Sequence, residues 1–142
     1  MKRRIVVDAS VVVKWLVPED QSLRAVSLRE RFDFAAPDLI HAEIVNILWK
    51  KARRGEIADA DALDGLRALR YAEFRLESSQ ELAEQAFELS RLIDHPAYDC
   101  FYLCAAVQLG TVLVTADERM LRKLSMTPHT EWTSAAVDLR TF

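Results

Sequence analysis

Glycine and proline are scarce in this 142-residue chain, at three and four, and cysteine occurs twice. So little glycine and proline excludes collagen-like and low-complexity architectures, and no internal repeat or linker breaks the sequence. Two cysteines cannot make a disulfide scaffold. Cys100 and Cys104 lie four residues apart in an apolar helical pattern, a poor geometry for a bridge, so both are expected to be free thiols packed in the core. No apolar stretch approaches the length of a membrane-spanning helix. MKRRIVV resembles the start of a signal peptide, but Asp8 and Lys14 interrupt the apolar stretch, and Pro18, Glu19 and Asp20 stand where a cleavage site would be. The expectation is a cytoplasmic protein. An excess of positive charge is missing too: the net charge is −3, so any nucleic-acid partner must be argued from local patches.

What is present is hydrophobic, at 51%, and well charged, at 29%, enough for the core of one domain spanning residues 1–142. Residues 5–7 form a β-branched run typical of a strand buried on both faces, and TVLVT at 111–115 is a second. Shorter strands are predicted over 34–36, 74–77 and 131–133. Between them lie helical patterns, including 21–30. Ser10 is read as the cap of a first helix that Pro18 stops. DLIHAEIVNILWKKARRG carries an apolar stripe of Ile40, Ile44, Ile47 and Leu48 and ends in basic residues and Gly55. A helix from Asp59 or Asp61 follows. Ser78 and Glu81 have capping-box spacing, and Pro96 precedes a helix that Gly110 ends. Alternating strands and helices predict an α/β fold with a mainly parallel sheet and helices on both faces.

Such sheets collect ligands beyond the carboxyl ends of their strands. Asp8 follows the first strand and Asp117 follows TVLVT. Glu43 shares a polar stripe with Asn46 and Lys50, and Asp99 opens an otherwise apolar helix. Each has a plain structural reading. Asp8 and Asp117 would serve as helix caps, Glu43 as a solvated helix residue, and Asp99 as a complement to a helix dipole. Together they are four acids beside hydrophobic segments with no lysine-rich surround. Clustered carboxylates repel unless a cation compensates, and oxygen-only ligands suit Mg²⁺ or Mn²⁺. No histidine is expected beside any of the four, since His41 falls on a different side of its helix from Glu43, and zinc is accordingly not expected.

VVDASVVVKWL, the E-x-x-N of EIVN, HPAYDCFYLCAA and TADERML follow one another in the order and rough spacing of PIN-domain proteins. More narrowly, the chain resembles VapC-type toxins of bacterial toxin–antitoxin pairs, from about Ile5 to Leu124, and EWTSAAVDL resembles the family's last strand. The resemblance implies a three-layer α/β/α sandwich and a Mg²⁺- or Mn²⁺-dependent endoribonuclease. It implies that Asp8, Glu43, Asp99 and Asp117 hold the metal, with Ser10, Asn46 and Thr115 as supporting polar residues. It also implies a homodimer neutralised by a cognate VapB-type antitoxin. RNA contacts are expected from Lys14, Lys50 and Arg119, with Lys51, Arg53 and Arg54 as further candidates, although this basic run also reads as a solvated helix end. Trp15, Leu16 and Val17 are a candidate association surface. The alternatives are a non-catalytic interaction module on the same fold and a receiver-type signalling domain. The receiver would want paired acids after the first strand, where Asp8 stands alone. A haloacid-dehalogenase-type phosphatase would need an acid at Ser10.

Overall fold

The computed structural model describes residues 1–128 and 130–142. Five strands, β1 (Arg3–Val7), β2 (Phe32–Pro37), β3 (Phe74–Glu77), β4 (Leu113–Thr115) and β5 (Ala136–Asp138), form one sheet in the order β3-β2-β1-β4-β5. All four pairings are parallel. Ile5, Val6 and Val7 are each fully buried, as expected of a central strand covered on both faces.

The helices are α1 (Ala9–Leu16), α2 (Ser22–Arg31), α3 (Ile40–Arg53), α4 (Asp59–Leu69), α5 (Ser79–Ile93), α6 (Ala97–Gln108), α7 (Glu118–Ser125) and α8 (Thr130–Ala135). They flank the sheet in two groups: α1 packs with α2, α3 and α4, whereas α6 packs with α5 and α8 and lies against β1 and β2. Helix α3 buries Ile40, Ile44 and Leu48 at a spacing of four, with Ile47 partly buried at the edge of the stripe. Helix α6 is buried nearly all round, through Cys100, Tyr102, Leu103, Cys104, Ala105 and Ala106, and both thiols are free. Ser78 caps α5 by accepting from the Glu81 N–H. Gly55 and Gly110 end α3 and α6 with φ of 73° and 64°, a conformation that glycine adopts without strain.

Two local expectations are corrected. The cap of α1 is Asp8, not Ser10: Asp8 is extended, its carboxylate accepts from the Val11 N–H, and Ser10 lies inside the helix. Residues 131–133 are helical, within α8, and the last strand is Ala136–Asp138. Trp132 and Ala135, three apart, are both buried, so helical spacing prevails over the strand propensity of Trp132 and Thr133. The edge strand is then made by Ala136–Asp138, which pairs with β4 in register Leu113 to Ala136.

Of Trp15, Leu16 and Val17, the first two are half-buried and line a surface cavity, and each packs within the chain. Val17 is buried, the Trp15 indole N–H donates to the Ala25 carbonyl at 2.8 Å, and its ring lies against Phe34 and Phe74. Leu16 faces Gly65 of α4, where an added Cβ would come within 3.1 Å of Leu16 Cβ. Gly65→Leu is therefore expected to push α4 off α1, at a cost of about 1–3 kcal/mol, read as an earlier midpoint in urea unfolding. Among the described residues no helix is long and apolar enough to cross a membrane.

Candidate metal centre

The strand order places β1 between β2 and β4, so the chain leaves β1 toward one side of the sheet and later returns on the other. The crevice outside the carboxyl ends of β1 and β4 is the topological switch point, and Asp8 and Asp117 stand there. Asp8 follows β1 directly and is 7% exposed. Its Oδ1 accepts from Ser10 Oγ at 2.5 Å and from the Val11 N–H at 3.2 Å, and its Oδ2 accepts from the Thr115 hydroxyl. The Ala116 N–H donates to Ser10 Oγ, and the Asp117 N–H donates to Thr115 Oγ1. Ser10 and Thr115 thereby tie the two strand ends together. Asp117 caps α7, its Oδ1 accepting from the Arg119 and Met120 N–H groups at 3.1 and 3.2 Å.

The other two acids arrive on helices. Asp99 lies in the first turn of α6, where the buried length of that helix fixes its position. Glu43 lies in the first turn of α3, on the face beside the buried stripe. Glu43, Asn46, Lys50, Tyr98 and Asp99 line a cavity of about 480 Å³. Asp8, more deeply buried, does not line it.

The acids act on one another electrostatically. Burial pushes the Asp8 carboxyl up from 3.8 to about 6, against the bonds from Ser10, Thr115 and Val11, and Asp99 raises it further. Glu43 is pushed up from 4.5 to about 7, by burial first and then by the charges of Asp99 and Asp8. Asp99 is raised by burial, then by Asp117, while His95 pulls it down. Glu43 Oε1 is buried with no hydrogen-bond partner among the described residues, although the Tyr102 hydroxyl is near enough to favour its charged form. A buried, unpartnered carboxylate oxygen among mutually repelling acids is the environment that a hard cation relieves.

The expected absence of histidine is overturned. His95 Nε2 lies 2.7 Å from Asp99 Oδ2 and 3.5 Å from Asp117 Oδ2, and ligand atoms of His95, Asp99 and Asp117 fall within 4.8 Å of one another. His95 stands four residues before Asp99, the spacing of helical neighbours. It lies outside α6, across Pro96, brought there by the left-handed turn at Asp94 (φ 52°). The H-P-A-Y-D spacing was the available signal.

The basic residues divide. Lys50 lines the cavity and is exposed. Arg119 is exposed in the first turn of α7. Lys14 does not line the cavity: its ammonium pairs with Glu19 at 3.1 Å and donates to the Asp20 carbonyl. Lys51 pairs with Glu19 at 2.5 Å.

The sequence pattern of the PIN domain matches residues 5–125. This chain belongs to the PIN-domain family. Among its relatives, Ribonuclease VapC3 of Pyrobaculum aerophilum is 33% identical over 125 residues, covering 84% of this chain and 94% of the relative. Ribonuclease VapC9 of Mycobacterium tuberculosis is 31% identical over 116 residues, covering 82% and 87%. The crystal structure of PAE2754 from Pyrobaculum aerophilum superposes with a TM-score of 0.70 at 26% identity, over 99% of this chain and 94% of that one. The PIN domain here is thus of the VapC type, with the α/β sandwich expected of it and a sheet that is parallel throughout.

Proposed function

We propose that this PIN domain is a metal-dependent endoribonuclease that hydrolyses RNA phosphodiester bonds at the carboxylate cluster. The observation that supports the reading best is the close set of Asp99 and Asp117 with His95, ligand atoms within 4.8 Å, beside a cavity lined by Asp99 and by Glu43 with its unpartnered Oε1. The VapC names and length coverage of the relatives support the substrate class. Asp8, Glu43, Asp99 and Asp117 are the residues that would hold Mg²⁺, with Mn²⁺ as substitute. Such an ion supplies Lewis acidity toward the phosphate and makes water a better nucleophile at neutral pH.

The protein's own groups do the rest. Ser10 and Thr115 hold Asp8 by donating to both its oxygens. Lys50 and Asn46, on the cavity wall, receive the phosphate and ribose of the strand. Glu43, whose Oε1 is buried without a partner, completes the acidic wall beside Asp99, and the proton of the attacking water passes to the ester oxygen that leaves. The water oxygen bonds to phosphorus, one ester bond breaks, and the products are a phosphate monoester and a hydroxyl end. No protein nucleophile is required.

The same reading includes a cytoplasmic homodimer silenced by a VapB-type antitoxin. An antitoxin segment that places a basic side chain among the acids would neutralise them and close the cavity.

With purified protein and a single-stranded RNA, cleavage is expected with Mg²⁺ or Mn²⁺, to stop with EDTA, and to return when the ion is restored in excess. Cleavage that persists at full rate in EDTA overturns the reading.

A further inference from the structure

His95 is 6% exposed, yet no role in the cluster described above falls to it. Its two nitrogens have different surroundings. Nε2 faces Asp99 Oδ2 at 2.7 Å and Asp117 Oδ2 at 3.5 Å, while Nδ1 is buried with no hydrogen-bond partner. That asymmetry selects a tautomer. A proton on Nδ1 would leave an orphaned donor in the core and turn the Nε2 lone pair onto carboxylate oxygens. A proton on Nε2 donates to Asp99 and leaves only an acceptor unpaired.

With its hydrogen on Nε2, the imidazole presents a donor and not a lone pair to the acids. It donates to Asp99 on α6, and the same N–H edge lies 3.5 Å from Asp117 Oδ2 at the start of α7, an electrostatic contact. Asp117 Oδ1 is already fixed by the helix cap, and the nitrogen of His95 is the donor that Asp99 receives. We infer that His95 is a positioning residue, holding Asp99 against Asp117 through Nε2–H so that their remaining oxygens form one face of the metal centre. This rests on the metal-centre reading above. It makes the His–Asp–Asp group a carboxylate pair with a nitrogen donor behind it, so the ligand set stays oxygen-only and suits Mg²⁺ and Mn²⁺ rather than zinc.

The test is Mn²⁺ binding by calorimetry to the full chain and two variants, with circular dichroism as a check on folding. His95→Ala is expected to weaken binding by about tenfold to 100-fold, the range for loss of an outer-shell partner. His95→Gln, whose amide places an N–H donor near the Nε2 position, is expected to recover most of that loss. Pulsed EPR of the Mn²⁺-loaded wild type, natural-abundance against ¹⁵N-histidine-labelled, is expected to show no directly coordinated histidine nitrogen. Where the alanine variant does not fold, His95→Asn replaces it, since that amide is too short to reach Asp99.

Equal Mn²⁺ affinity in wild type and His95→Ala (or its Asn replacement) overturns the inference, as does a coordinated histidine nitrogen or a glutamine variant no better than alanine. Failure of the wild type to bind Mn²⁺ at all is the distinct outcome that removes the metal centre itself, and this inference with it.

Discussion

Asp8→Asn is expected to lose about 100-fold or more of the metal-stimulated RNA cleavage while raising the melting temperature of the metal-free protein. The two effects have one cause. Burial holds the Asp8 carboxyl at about 6, so near neutral pH the metal-free fold carries a charge in a place that disfavours it. Asparagine is close to isosteric and uncharged, and its Oδ1 can still accept from the Val11 N–H, which keeps the cap of α1; its Nδ2 cannot accept from the Thr115 hydroxyl, a loss of about 1 kcal/mol that is smaller than the relief of the buried charge. Stability therefore rises. Activity falls because one of four carboxylates no longer offers charge to the ion, and the ion's transition-state stabilisation is worth several kcal/mol, or about two orders of magnitude. The readouts are initial cleavage rates with Mn²⁺ and thermal unfolding in EDTA. If Asp8 were only a helix cap, Asn would leave the cleavage rate unchanged and alter stability alone. Full-rate cleavage by Asp8→Asn would sink the metal-centre reading and point to a contaminating nuclease.

The second large effect is a pH dependence that reverses when metal binds. Asp8 has a folded pKa of about 6 against an ordinary 3.8, and Glu43 about 7 against 4.5. In the window between, the folded protein binds more protons than the unfolded chain, so stability falls as pH rises. The contribution is fully present below about pH 4 and is lost as pH passes through 6 and then 7. Asp8 alone, nearly wholly buried, accounts for about 3 kcal/mol. In a domain of this size, metal-free protein should melt roughly 5–10 °C lower at pH 8 than at pH 5. Saturating Mn²⁺ should reverse the slope, because the ion binds the deprotonated carboxylates and displaces their protons. Melting curves in EDTA and in Mn²⁺ across pH 5–8 test this. A metal-free melting temperature that rises through the window would contradict the burial of Asp8 as the dominant influence.

These effects share a feature of the site: its members are structural and electrostatic at once. Asp8 and Asp117 are helix caps, as their positions after strands suggested, and they are also part of the acidic cluster. The two readings do not compete, because a capping carboxylate uses one oxygen on backbone N–H groups and turns the other to its neighbours, which for Asp8 include the Thr115 hydroxyl. Asp117 divides its oxygens in this way, Oδ1 to α7 and Oδ2 toward His95. Glu43 is the exception. It caps nothing, and its buried oxygen has no partner, so it is the least explained by fold stability alone.

Much of this was legible in the chain. The β-branched run before Asp8 and the TVLVT strand before Asp117 mark buried parallel strands by composition alone, and the acids after them fall at the sheet edge by chain geometry. The stripe Ile40, Ile44, Leu48 sets the orientation of α3, and so fixes the side on which Glu43 and Lys50 emerge. Local chemistry of this kind depends on period and spacing, which a sequence states directly. The helix at α8 was misread because six residues are too few for periodicity to outweigh the strand propensity of Trp132 and Thr133.

Tertiary structure alone decided what stands next to what. Lys14 reads as an available cation, but folding brings Glu19 and the Asp20 carbonyl onto its ammonium. Trp15 reads as part of an association surface, and folding sets its ring against Phe34 and Phe74 with its N–H on the Ala25 carbonyl. His95 reads as a loop residue before a proline, and only the turn at Asp94 carries its ring between Asp99 and Asp117. The sequence by itself determined the strands, the apolar helix faces and the four acids, because each follows from residue type and period along the chain. The pairing of those acids, the raised pKa values of Asp8, Glu43 and Asp99, and the histidine beside Asp99 were decided by the packed fold. Burial and Coulomb interactions depend on distances in space, and residues 8, 43, 95, 99 and 117 acquire those distances only when the sheet and its helices close around them.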